Sequence, residues 1–144
     1  MAGGQPERPA PGASDDARSG RVVVLVVDDD PLIRSWVVRA LEQAGIEAVA
    51  AENGRKALRL VADGEARPTV LLTDLEMPAM GGVELAARMH ALRPGIRIVM
   101  MTGDADRAAA ARDRSEIVAA VLDKPILIAD LVAAVRPDPE RVQS

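Results

Sequence analysis

The stretch VVVLVVDDDP, residues 22–31, decides how this chain is read. Six apolar residues run without a break into three carboxylates and a proline. A continuous β-branched run marks a strand buried on both faces, as inside a parallel sheet. Asp30-Pro31 supplies an N-cap and a proline at the first helical position, so a helix begins where the acids end. Ile33, Val37, Ala40, Leu41 and Ala44 share one face of that helix, and Gly45 stops it. The acids are the anomaly. Like charges crowded beside a hydrophobic strand repel one another and resist desolvation.

Downstream the same alternation continues. IEAVAAE (46–52) reads as a short strand, and the following Asn-Gly as a turn. RKALRLVADG (55–64) is a helix with Ala57, Leu58 and Val61 turned inward, closed by Gly64. TVLLTD (69–74) is the third strand, and LEMPAMGG (75–82) is a loop, because Met77 precedes a proline and two glycines follow. VELAARMHALRPG (83–95) is a helix ended by Pro94-Gly95. IRIVMMT (96–102) is the fourth strand. DADRAAAARDRS (104–115) is a helix whose apolar face is only alanine. IVAAVLD (117–123) is the fifth strand, Lys124-Pro125 breaks the chain, and LIADLVAAVR (127–136) is the last helix. Five strands alternating with five helices predict an α/β fold, a doubly wound parallel sheet covered on both faces.

Composition narrows the function. The chain has 144 residues, enough for one sizeable core. Residues 1–20, rich in Pro, Gly, Ala and Ser, read as a disordered tail; 21–136 form the domain; 137–144 are a short C-terminal tail. A net charge of -4 argues against a general nucleic-acid or anionic-membrane binder. No cysteine and a single histidine, His90, exclude disulfides, thiolate catalysis and a multi-histidine zinc site. No apolar run is long enough to span a bilayer, and residues 1–20 lack a signal peptide's apolar core, so the expected location is the cytoplasm.

Parallel sheets of this type bind ligands at the carboxyl ends of their strands. The first strand ends at Asp28, Asp29 and Asp30, the third at Asp74, the fourth at Thr102 and the fifth at Asp123-Lys124-Pro125. The second ends at Glu52-Asn53, to one side. If strands one, three, four and five are neighbours, one edge collects acids, a hydroxyl and an ammonium. Clustered carboxylates become favourable when they share a hard divalent cation, and magnesium suits oxygen ligands beside phosphate oxygens. Asp74 can then act as a nucleophile toward a phosphoryl group, with Lys124 and the metal neutralising its oxygens and Thr102 hydrogen-bonding one of them. Lysine occurs only at Lys56 and Lys124 among 18 basic residues, which points to a wanted point charge at 124. Asp30 is read as a cap rather than a metal ligand. Trp36 is expected in helix–sheet or helix–helix packing, and Arg107, Arg112 and Arg114 on a solvated face.

VLVVDDDP, LLTDLEMPAMGG, IVMMTGDA and LDKP, in this order and at these separations, resemble the receiver domains of bacterial two-component response regulators, the CheY-like family. The likeness covers residues 21–136. It implies a flavodoxin-like (βα)5 fold with strand order 2-1-3-4-5. Asp74 matches the phosphoacceptor, which receives its phosphoryl group from a histidine kinase or a phosphotransfer histidine. Asp29 matches the direct magnesium ligand, Asp28 its neighbour acting through water, and Glu76 a backbone carbonyl on the metal. Thr102 matches the switch hydroxyl and Lys124 the lysine paired with the phosphoryl group. A cis Lys124–Pro125 bond is expected.

Departures from the family pattern matter as well. Val121 stands where an aromatic residue usually swings inward, and Ile126 replaces the usual aromatic after Lys-Pro. The alanine-faced helix before strand five is therefore expected to signal through its order or disorder. Glu76 and Asp104 occupy positions that tune phosphoryl lifetime in the family. Pro31, Arg34 and Val38, a stripe of the first helix, together with Pro125 and Ile126, are expected to dock the kinase. The chain ends about one helix after Lys124, which predicts a stand-alone switch acting through protein partners, as a relay, or as a phosphate sink. Its enzymology would be self-directed only. A magnesium-dependent aspartyl-nucleophile phosphatase is disfavoured, because Glu76 stands where such enzymes place a second aspartate. A never-phosphorylated pseudo-receiver is disfavoured because the acids and the lysine are all present.

Overall fold

The computed structural model describes residues 21–136. The two tails expected from composition, 1–20 and 137–144, lie outside the described residues. In chain order the elements are β1 (Val23–Val27), α1 (Pro31–Gln43), β2 (Glu47–Ala51), α2 (Gly54–Ala62), β3 (Val70–Asp74), α3 (Gly82–Leu92), β4 (Arg97–Thr102), α4 (Ala105–Arg112), β5 (Ala120–Asp123) and α5 (Ile128–Val135). The sheet is wholly parallel with order β2-β1-β3-β4-β5, as expected.

Central β1 and β3 are buried along their whole length, whereas the edge strands β2 and β5 are mostly half-buried or exposed. This explains the composition of VVVLVV: alternate residues must be apolar on both faces. Leu25, Val27, Leu71, Ile98 and Met100 face one core, closed by Ala57, Leu85 and Met89 from α2 and α3. Val24, Val26, Leu72, Val99 and Met101 face the other, closed by Val37 and Leu41 of α1 and Leu131 and Val135 of α5. Burying a leucine such as Leu71 or Leu72 contributes roughly 1.5–3 kcal/mol, so the two-sided core holds the strand ends firmly in place.

Helix boundaries follow the expected chemistry. Asp30 caps α1 through Leu32 N–H, with Pro31 at the first position. Gly45 and Gly64 both adopt left-handed backbone, at φ 81° and 76°, where a side chain would be strained. Asn53, read as a turn residue, instead caps α2 by accepting from Lys56 N–H. α4 is shorter than its sequence pattern. It ends at Arg112, and the chain turns through 113–117 before β5 starts at Ala120. Only Ala108 and Ala111 are buried from it, too little apolar surface to extend it further.

Trp36 corrects an expectation: it is 43% exposed rather than packed in the interior. It lies in a surface groove of about 310 Å³ with Leu32, Ile33, Lys124, Pro125 and Ile126. The core face of α1 is already filled by Val37, Ala40 and Leu41, and Trp36 falls outside it. The docking stripe needs a similar revision. Val38 is half-buried and packs against the α1–α5 core, and Arg34 Nη1 donates to the Asp28 carbonyl at 2.7 Å. The large exposed apolar residues of that helix are Leu32 and Trp36, beside the exposed Pro31.

Candidate functional site

Parallel strands bring their carboxyl ends to one edge, and the register fixes which residues meet. Val27 is opposite Thr73, Asp74 opposite Met101, and Thr102 opposite Asp123. Asp28, Asp74, Thr102 and Lys124 therefore converge. Asp28, Asp74 and Thr102 are buried, an unusual position for the two carboxylates. Two backbone bonds bind the loops down: Leu75 N–H to the Met101 carbonyl at 2.8 Å, and Lys124 N–H to the Thr102 carbonyl at 2.8 Å. The Lys124–Pro125 bond is cis, as expected.

Gly82 shows how tightly the strand end is held. A Cβ at this position would lie 2.6 Å from the Asp74 carbonyl oxygen and 2.9 Å from Leu75 Cα. Both obstacles are backbone and cannot rotate away. Only glycine lets α3 start directly behind the segment carrying Asp74.

Lys124 Nζ lies 3.2 Å from Asp74 Oδ1 and 3.6 Å from Asp28 Oδ2. Burial alone would lower the lysine's pKa, but the attraction of Asp74 and then Asp28 outweighs it and leaves the ammonium more basic than usual. Both carboxyls are shifted upward. Burial is the main cause at each, and at Asp74 the Asp28 charge adds to it. One lysine thus does not balance two buried acids.

One oxygen per carboxylate of Asp28, Asp29 and Asp74 can be chosen so that all three lie within 4.8 Å of one another. Asp28 Oδ2 is buried and has no hydrogen-bond partner. An all-oxygen donor set with an unpartnered anionic oxygen fits a hard divalent cation such as magnesium. Asp29, exposed at the rim, leaves one side open to water. Asp30 stays out of the cluster, occupied as a cap.

Other side chains do things the sequence did not show. Glu76, expected to offer a backbone carbonyl to the metal and to stand at a lifetime-tuning position, also accepts the Thr102 hydroxyl through its side chain, with Oε2 at 2.5 Å. Asp104 caps α4 by accepting from Asp106 and Arg107 N–H, and its own N–H donates to Thr102 Oγ1 at 3.0 Å. Arg112 reaches from α4 to the Val121 carbonyl at 3.3 Å and to Asp123 at 3.6 Å. No sequence signal marks these contacts, because each depends on side chains meeting across separate loops.

Comparison with known proteins agrees with this geometry. The family model for the response regulator receiver domain matches residues 24–136. The chain belongs to the response regulator receiver family. The receiver is 37% identical over 109 residues to the response regulator receiver protein CpdR of Brucella abortus, covering 76% of this chain and 89% of that one. It is 36% identical over 115 residues to the DNA-binding transcriptional regulator NtrC of Escherichia coli, covering 80% of this chain but 24% of that protein. Among solved structures, a response regulator receiver protein from Pseudomonas putida superposes with a TM-score of 0.72 at 31% identity, covering 82% of this chain and 98% of that one. Receivers as a family bind magnesium through an acidic cluster of this type and engage histidine kinases or phosphotransfer proteins.

Proposed function

We propose that this receiver is a phosphoacceptor switch. Asp74 takes a phosphoryl group from a histidine kinase or a phosphotransfer histidine, and the change is passed to protein partners or along a relay, or drained as a phosphate sink. The observation that carries this reading is Asp74 itself: a buried carboxylate at a central strand end, bridged by Lys124 to a second buried acid. Attack by an Asp74 oxygen forms a P–O bond as the P–N bond of the phosphohistidine breaks, and the released imidazole takes up a proton. Lys124 is placed to neutralise the phosphoryl oxygens, and Thr102 to donate to one of them. Asp28, Asp29 and Asp74, with the Glu76 carbonyl, would hold magnesium, which supplies charge neutralisation at the transferring group. The only turnover proposed is self-directed, phosphorylation and hydrolysis of its own aspartate.

A stand-alone role is supported by the match across 89% of CpdR. The proposal includes a cytoplasmic setting, where ATP-derived phosphohistidine and free magnesium are available. Among the described residues no helix is long and apolar enough to cross a membrane. We place donor docking on Pro31 and Arg34 of α1 with Pro125 and Ile126, joined by the exposed Leu32 and Trp36. Val38→Glu would disturb the core, so Leu32→Glu, at a residue 80% exposed, is the cleaner test. It should slow transfer from the cognate kinase and leave small-donor phosphorylation unchanged. Unchanged kinase transfer would remove this surface from the proposal.

The primary experiment is incubation with magnesium and acetyl phosphate, then mass spectrometry, with Asp74→Asn as control. A magnesium-dependent adduct on Asp74, lost in the control, is expected. No adduct with acetyl phosphate or with candidate kinases, while magnesium still binds, would favour the pseudo-receiver instead.

A further inference from the structure

We propose that the Glu76 carboxylate is a positioning group that occupies the phosphoryl group's place on Thr102, and that it must leave for the switch to close. This rests on Asp74 being the phosphoacceptor. Thr102 Oγ1 has one proton to donate, and Glu76 Oε2 takes it at 2.5 Å. That length is typical of a hydroxyl bonded to a charged carboxylate, the stronger class of hydrogen bond. The acceptor side of the same hydroxyl receives Asp104 N–H at 3.0 Å. Thr102 is completely buried, so water does not readily replace either partner.

Glu76 follows Asp74 by two residues, and its own N–H points back to Asp74 Oδ1 at 3.4 Å. Its side chain therefore spans the space between the Asp74 end of β3 and Thr102. A phosphoryl group on Asp74 brings anionic oxygens into that space. It competes with Glu76 for the Thr102 proton and repels the carboxylate. Glu76 thus favours the unphosphorylated arrangement twice, by a hydrogen bond and by charge. Both effects are lost in Glu76→Ala, and mainly the charge in Glu76→Gln.

Two measurements test this. First, the Thr102 χ1 rotamer is read by NMR couplings in the ligand-free protein. Wild type should hold one rotamer and Glu76→Ala should average over several; a single unchanged rotamer in the variant overturns the proposal. Second, affinity for the phosphoryl mimic beryllofluoride is measured with magnesium. Glu76→Ala should bind about tenfold more tightly, about 1.4 kcal/mol, with Glu76→Gln between it and wild type. In a Thr102→Val background most of the gain should vanish. An equal gain there would show that Glu76 acts only as a distant charge and would overturn the hold on the hydroxyl. Failure of beryllofluoride to bind wild type and variants alike would count against Asp74 as phosphoacceptor, and with it against displacement of Glu76 by a phosphoryl group, while the rotamer result would still decide whether Glu76 holds Thr102.

Discussion

Asp28→Asn is the most informative single perturbation of the acid cluster. Asp28 is fully buried; Oδ1 accepts Asp30 N–H at 2.9 Å, while Oδ2 has no hydrogen-bond partner and only Lys124 at 3.6 Å. Burial, the largest influence, raises its pKa above the ordinary 3.8. A carboxyl whose folded pKa is raised contributes its full stability below 3.8 and loses it as pH rises through the folded value. Where Asp28 is ionised, the ion-free fold therefore carries a charge it would be more stable without. Asparagine keeps the shape and the acceptor for Asp30 N–H but removes that charge. An unsatisfied buried polar group costs about 1–3 kcal/mol, and more when charged. After subtracting the lost attraction to Lys124, the ion-free variant should gain on the order of 1 kcal/mol at neutral pH. That is roughly 4 °C in Tm for a domain of this size. Magnesium should reverse the order: at a hundredfold excess over Kd it stabilises the wild type by about 2.7 kcal/mol, and the variant by much less. Thermal melts across pH, with magnesium and with chelator, give all four values. A variant that melts below wild type in chelator, or equal magnesium shifts in both proteins, would refute the reasoning.

Three further outcomes are expected. Gly82→Ala should lose about 1–3 kcal/mol in urea unfolding and slow acetyl phosphate labelling, since its Cβ collides with the Asp74 carbonyl; unchanged stability and rate would mean the backbone gives way freely. Lys124→Ala removes the cation beside Asp28 and Asp74, so magnesium binding should persist while beryllofluoride affinity falls at least tenfold by titration; retained affinity would exclude Lys124 from the phosphoryl site. Amides of α4 should change their hydrogen-exchange protection on beryllofluoride binding, and equal, strong protection in both states would rule out signalling through that helix.

The fold was legible because its signals are local and redundant. Six apolar residues at 22–27, the Asp30-Pro31 start and the Gly45 stop describe one strand–helix unit without any tertiary knowledge. Repeating that unit five times leaves few arrangements open. The site was legible for a related reason: in a parallel sheet every strand end reaches the same edge, so Asp28, Asp74, Thr102 and Lys124 meet once their strands adjoin. Trp36 and Val38 were misplaced because periodicity gives a helix face but not how wide a stripe its neighbours cover. Here Val37 and Leu41 fill the α1 interface, Val38 is drawn against its margin, and Trp36 is left outside. Glu76 was half-legible. Its position after Asp74 is visible in sequence, but the direction of a flexible side chain is decided by Thr102, 26 residues away.

The aromatic residue missing at Val121 does not leave the site disconnected from the surface. Thr102 Oγ1 accepts the Asp104 N–H, and the Asp104 carboxylate in turn caps α4 through two backbone N–H groups. Under the proposed switch, a displacement of the threonine hydroxyl toward Asp74 would act on the start of α4 through a single residue. That helix is held by little apolar burial. It spans eight residues and buries only two alanines, whereas α1 buries Val37 and Leu41. Its far end is tied to β5 by Arg112 and Asp123, an exposed pair of the kind that contributes about 0–1 kcal/mol. If Asp74 is phosphorylated as proposed, a sheet carrying the acids, joined through Thr102 and Asp104 to this helix, would pass a local charge change to the surface without any ring having to turn.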